Sequence, residues 1–79
     1  SLYQTSLFDT LQVYLENRGN ITKTAAAMYI HRNTIMQRLS RIETVLRVDL
    51  SDNFAFYDLQ LCMQIYHYLQ DTTSEEPYI

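Results

Sequence analysis

The stretch TAAAMYIHRNTIMQRL, residues 24–39, sets three alanines ahead of a dense run of Arg, Asn, Thr and Gln. Both halves carry a helical pattern, and they predict different tasks. Ala25, Ala26 and Ala27 have no bulk, so a second helix can approach closely there. Met28 adds a larger apolar contact, and Thr22 is a good N-cap for a short helix over about 23–29. Two turns of helix do not persist in water without tertiary packing. A break is expected near Tyr29, Ile30 and His31. The following helix spans about 32–46, capped by His31 or Asn33, with Ile35, Leu39, Ile42 and Leu46 forming one inward stripe at i, i+4, i+7 and i+11. Arg32, Asn33, Met36, Gln37, Ser40, Arg41 and Thr44 lie away from that stripe. Glu43 and Arg47 stand four apart in the favourable order, a pairing worth about 0.3 kcal/mol.

A short helix, a tight turn and a longer helix, with a small residue where the two cross, is the helix-turn-helix plan. Ala25 falls at the expected crossing, and Ile30 in the turn joins Ile35 and Leu39 in a small core. The start of the longer helix then projects outward, the part that enters a major groove in this motif. Arg can bond guanine at two points, Asn or Gln can do so with adenine, and a Thr methyl packs on thymine. Thr22 and Lys23 at the start of the short helix suit a phosphate. Arg38 and Arg41 lie further along and can reach the backbone beside the groove.

Working outward, a first helix is expected over about 6–18. Ser6 or Thr5 would cap it, Asp9 would fall in its first turn, and Leu7, Phe8, Leu11, Tyr14 and Leu15 would make its apolar stripe. RGN (18–20) would stop it, with Gly19 as the left-handed closing residue. VDLSDN (48–53) is a connector offering Ser51 or Asp52 as a cap. A fourth helix over about 53–70 has two apolar faces, one of Leu59, Cys62, Tyr66 and Leu69, the other of Phe54, Leu61, Ile65 and Tyr68. The expectation is an all-α bundle over 1–70 and a disordered acidic tail over 71–79.

Composition narrows the class. A chain of 79 residues holds one small domain with a modest core. It contains no 18-residue apolar run, so no membrane-spanning helix is expected, and SLYQTSLFDT (1–10) lacks the marks of a signal peptide. The lone Cys62 cannot pair within the chain, which fits a reducing cytoplasm. On its apolar stripe it is expected to be a small core residue rather than a nucleophile. Net charge is −3, yet all six basic residues lie between Arg18 and Arg47 with one acid among them. That segment carries +5 and its flanks −8, a local positive face that suits a polyanion better than the total implies.

The residues also resemble a known family. TLQVYLENRGNITKTAAAMYIHRNTIMQRLSRIETVL (10–46), followed by VDLSD (48–52) and a hydrophobic helix, resembles the C-terminal helix-turn-helix domain of PucR-type (CdaR-like) transcription regulators. The likeness covers about 7–69. Its most specific piece is IHRNTIMQRLSRIE (30–43), and GNITKTA (19–25) matches the entry to the second helix. A more distant similarity runs to the Fis-type helix-turn-helix. The resemblance implies the DNA-binding domain of a longer bacterial regulator whose upstream part senses a signal. By position it sets Arg32, Asn33, Thr34 and Gln37 on bases, and Arg38 and Arg41 on phosphates. Two positions depart from the pattern. Tyr29 stands in the turn where many helix-turn-helix proteins have Gly, which implies a strained left-handed tyrosine. Arg47 stands where the family often ends its third helix with glycine.

Other classes fare worse. Cys62, His31 and His67 have no metal-ligand spacing, and His31 is as well explained as a helix cap as by a phosphate. No phosphate loop, nucleophile elbow or paired-carboxylate pattern occurs, so neither an enzyme nor a cofactor is expected. Tyr14, Tyr66 and Tyr68 have core spacing rather than that of a base-stacking platform. The competing class is a helical protein-interaction module without DNA binding. RNA is disfavoured because its major groove is too narrow for a helix. The two opposed faces of the fourth helix lead to a last expectation, a homodimer formed through it.

Overall fold

Four helices carry the chain in a computed structural model: α1 (Leu2–Glu16), α2 (Ile21–Met28), α3 (Arg32–Leu46) and α4 (Asn53–Glu75). The structure describes residues 2–75, with side chains over 7–72, and no strand occurs among them. The all-α expectation holds.

The core is the meeting of α1 and α3. Leu11, Tyr14 and Leu15 of α1 are buried against Ile35, Leu39 and Ile42 of α3, and Ile35 is completely sealed at 0% exposure. Ala25 of α2 is buried in the same cluster, while Ala26 and Ala27 face solvent, so one alanine rather than three makes the close approach. Leu7, Ile21, Met28 and Ile30 pack around it. The expected fourth member of the α3 stripe, Leu46, is 45% exposed; its place at the end of the core is taken by Leu50 and Val48 of the connector. Glu43 makes this possible, because its carboxylate accepts the Leu50 amide at 2.8 Å. It does not pair with Arg47, since α3 ends at Leu46 and Arg47 turns left-handed, away from the helical face.

Helix ends show where local chemistry departs from the expected boundaries. α1 begins at Leu2, so Thr5 and Ser6 lie inside it rather than capping it, and Asp9 is past its first turn. It stops at Glu16, and both Arg18 (φ 55°) and Gly19 (φ 80°) are left-handed. The Gly19 amide closes back on the Tyr14 carbonyl at 2.9 Å. Asn20, not Thr22, caps α2: its side chain accepts the Lys23 amide at 2.9 Å. Asn is as strong a cap as Ser and stronger than Thr, and the stop at Gly19 leaves it at the right place. His31 caps α3 as expected, its Nδ1 accepting the Asn33 amide at 3.0 Å. The left-handed tyrosine is also present, with Tyr29 at φ 56° closing α2. Each left-handed residue other than glycine costs about 1–2 kcal/mol, somewhat more than the flexibility glycine would add to the unfolded chain, about 0.4–1 kcal/mol.

α4 rests on α1 alone among the described helices. Its inner residues are Phe56, Leu59 and Met63, with Tyr66 edge-on to Phe8 at 5.3 Å between ring centroids. The Gln60 side chain donates to the Leu15 carbonyl at 2.8 Å, tying α4 to the end of α1. Cys62, expected as a small core residue, is exposed, and so is Leu69 of the same stripe. With one neighbouring helix, α4 has a narrow contact seam, and Cys62 falls outside it. The opposite face is bare, with Phe54, Tyr57, Leu61, Ile65 and Tyr68 all exposed. The helix continues past Gln70 to Glu75, so 71–75, expected as tail, are helical, and 76–79 lie outside the described residues.

Because Ala25 is the small residue between α2 and α3, Ala25→Leu is expected to overpack the crossing and cost about 1–3 kcal/mol. Ser40→Leu on the exposed side of α3 is expected to leave the melting temperature within a degree or two of the parent. Urea or thermal unfolding of the two variants compares them directly, and equal melting would remove Ala25 from the crossing.

Candidate nucleic-acid interface

The roll of α3 about its own axis decides which residues face out. Successive residues turn about 100°. With Ile35, Leu39 and Ile42 inward, Asn33 and Gln37 fall about 160° from Ile35 on either side and both are exposed. Arg32 is exposed at the first position of α3, and its Nη1 donates to the Thr22 hydroxyl at 3.4 Å. That bond links the starts of α2 and α3 through Arg32 and Thr22, with Lys23 and Asn33 the next residues along each helix, both exposed. Thr34 is half-buried and its amide bonds the His31 carbonyl at 3.0 Å, leaving only part of its side chain accessible.

The two arginines expected on phosphates are placed differently. Arg41 is exposed to the side of α3. Arg38 lies about 60° from Ile35, at the margin of the buried stripe, and is half-buried. Its Nη1 donates to the Thr10 hydroxyl of α1 at 3.3 Å. The arginine at this position thus braces α3 against α1, a role the sequence spacing did not suggest. Thr10 itself is fully buried.

Electrostatics favour a polyanion on this side. No Asp or Glu occurs from Asn17 to Ile42, so the exposed side chains of α2 and the first half of α3 meet no carboxylate of their own helices. Glu43, the first acid after that span, is half-buried and engaged by the connector. Its negative charge and burial together push the Tyr14 hydroxyl above its ordinary value, burial being the larger cause. Two supporting residues were not anticipated as such. Asn20 sets the start of α2, and the only sign of it was an Asn directly after the glycine stop. Glu43 holds the connector and looked instead like half of an exposed ion pair.

Two helices joined by the three-residue turn Tyr29-Ile30-His31, crossing at a small buried residue and braced by a third helix, define a helix-turn-helix protein. The chain matches the PucR C-terminal helix-turn-helix domain over residues 7–65 and belongs to that family. It is 40% identical over 60 residues to the purine catabolism regulatory protein of Bacillus subtilis (strain 168), across 76% of this chain and 11% of that protein. It is 38% identical over 48 residues to the proline-responsive transcriptional activator PutR of the same organism, across 61% of this chain and 12% of PutR. An uncharacterized protein in the pkwA 5′ region of Thermomonospora curvata is 45% identical over 47 residues, across 60% of this chain and 26% of its own length. The chain therefore corresponds to a small fraction of each of these relatives. No solved structure matches it significantly. Among the described residues no cluster of His, Cys, Asp or Glu could hold a metal ion, and no helix is long and apolar enough to cross a membrane.

Since Arg38 braces α3 on α1, Arg38→Ala is expected to destabilise the domain by about 1 kcal/mol through the lost bond to Thr10. The shift in urea midpoint measures it, and an unchanged midpoint would leave Arg38 without a structural role.

Proposed function

We propose that the chain binds double-stranded DNA sequence-specifically, as the helix-turn-helix domain of a bacterial transcription regulator, with α3 lying in the major groove. One observation carries this most. The buried stripe of α3 holds Asn33 and Gln37 exposed on its other side, with Arg32 exposed at the first position of the helix, next to the turn. These are side chains that discriminate guanine and adenine by paired hydrogen bonds. Thr34 adds a methyl at the groove edge. Thr22, Lys23 and Arg41 meet phosphates, joined by the donors of Arg38 that Thr10 does not take. Family membership and the names of two relatives, a regulatory protein and a transcriptional activator, support the regulator role. We also place an upstream sensory region in the same chain, working in the cytoplasm; the relatives are several times longer than the stretch they share with it.

The test is the mobility of a labelled duplex, first selected from a random pool, with rising protein at several salt concentrations. Asn33→Ala or Gln37→Ala is expected to cost about 1–3 kcal/mol on the selected site and to relax one base position. Arg41→Ala is expected to weaken all duplexes and reduce the log-affinity versus log-salt slope by about 0.9. A protein-interaction module without DNA binding would give no salt-sensitive complex at all.

We further propose that two copies pair through the bare face of α4. Phe54, Tyr57, Leu61, Ile65 and Tyr68 recur at i, i+3, i+7, i+11 and i+14, a continuous exposed stripe on a helix without Lys or Arg. One short recognition helix reads few bases, and a two-fold pair doubles the contact over two half-sites. Sedimentation across micromolar concentrations is expected to show a dimer, reduced to monomer by Ile65→Asp or Tyr68→Asp with loss of DNA affinity. A parent that stays monomeric, with both variants binding DNA like it, would assign the stripe to the upstream region instead.

A further inference from the structure

Tyr29 has the highest exposure of any large apolar side chain among the described residues, 95%, and its backbone is left-handed, φ 56° and ψ 41°. The corner has a backbone cause: the Tyr29 amide reaches the carbonyls of Ala25 and Ala26, and the Ile30 amide reaches that of Ala25. Glycine would close α2 in the same way without steric cost. The chain does use glycine after α1, where a Cβ on Gly19 would stand 3.4 Å from both Phe56 and Tyr14. After α2 it keeps a bulky aromatic instead, with almost no burial to offset the strain. Arg18 and Arg47 share the left-handed backbone, so what sets Tyr29 apart is the bare aromatic ring at that corner. Folding gives no reason for that ring, and strain kept without compensation points to function.

Position supplies the reason. Tyr29 lies in the turn itself, three residues ahead of Arg32, at the end of α3 that carries the exposed polar side chains. Neither helix flanking the turn has a carboxylate before Glu43. A phenol offers one O–H donor and a flat apolar ring, which together suit a phosphate oxygen and the deoxyribose beside it. The geometry points to Tyr29 as a contact to the DNA backbone, its hydroxyl donating to a phosphate next to the bases that Arg32 and Asn33 face. It touches no base edge, so it positions α3 rather than reading sequence. This rests on the DNA-binding function proposed above.

A duplex selected from a random pool by the parent domain, and a scrambled duplex, are titrated with the parent, Tyr29→Phe, Tyr29→Gly and Asn33→Ala. Tyr29→Phe is expected to weaken binding about threefold to tenfold on both duplexes, and Tyr29→Gly at least as much. The salt slope is expected to stay that of the parent, because a neutral phenol displaces no counterion. Tyr29→Gly is also expected to melt at a higher temperature than the parent, so weaker binding cannot come from poorer folding. Parent-like affinity in both Tyr29 variants, with Asn33→Ala still weakened, overturns the Tyr29 contact alone. A parent that forms no salt-sensitive complex overturns both this contact and the DNA-binding function.

Discussion

The burial of Ile35 between α1 and α3 is the constraint on which the rest depends. A fully sealed Ile with Leu39 and Ile42 beside it fixes the rotation of α3. One residue of slip would turn the helix by about 100°, driving polar side chains into the core at a cost of several kcal/mol for each group left without a partner. The exposed face is thus determined from inside. Asn33 and Gln37 are outward because three aliphatic residues are inward, and Arg38 is held at the margin for the same reason. A protein of this size has little apolar surface to spend on such a lock. It concentrates that surface where the orientation of one helix matters.

The turn region adds a second layer of order. Asn20 and His31 cap the two helices of the motif, each taking an otherwise orphaned amide. The bond between Arg32 and Thr22 then links the two helix starts. These are small effects, about 1 kcal/mol or less each, yet they act on the same few residues. Together they give the edge formed by α2 and α3 a definite shape before any partner arrives, which is the condition for discriminating between similar partners.

Much of this was legible in the sequence. The extent of α3, a cap at His31 or Asn33 and three of the four residues of its inward stripe follow from spacing and from the preference of helices for particular end residues. The crossing at Ala25 and the left-handed Tyr29 follow from the motif. What escaped was set by neighbours rather than by local pattern. Thr22 has the chemistry of a cap, but Asn20 comes first once the chain has turned at Gly19. Arg38 looked like a surface arginine until the hydroxyl of Thr10, twenty-eight residues earlier, lay within reach. Glu43 and Arg47 have the spacing of an ion pair, which fails because the helix ends between them. Cys62 looked like a core residue because periodicity counts faces and cannot know that α4 rests on α1 alone among the described helices.

That single neighbour has a dynamic consequence. α4 is 23 residues long, about 34 Å, and among the described side chains its inner contacts run from Phe56 through Leu59 and Met63 to the Tyr66 ring beside Phe8. A helix joined to its domain along one seam can part at that seam without opening the contacts of α1 with α2 and α3, at a free energy below that of global unfolding. Amide hydrogens of α3 would then exchange more slowly than those of α4. Only the three-helix head needs to be rigid for the face of α3 to keep its shape.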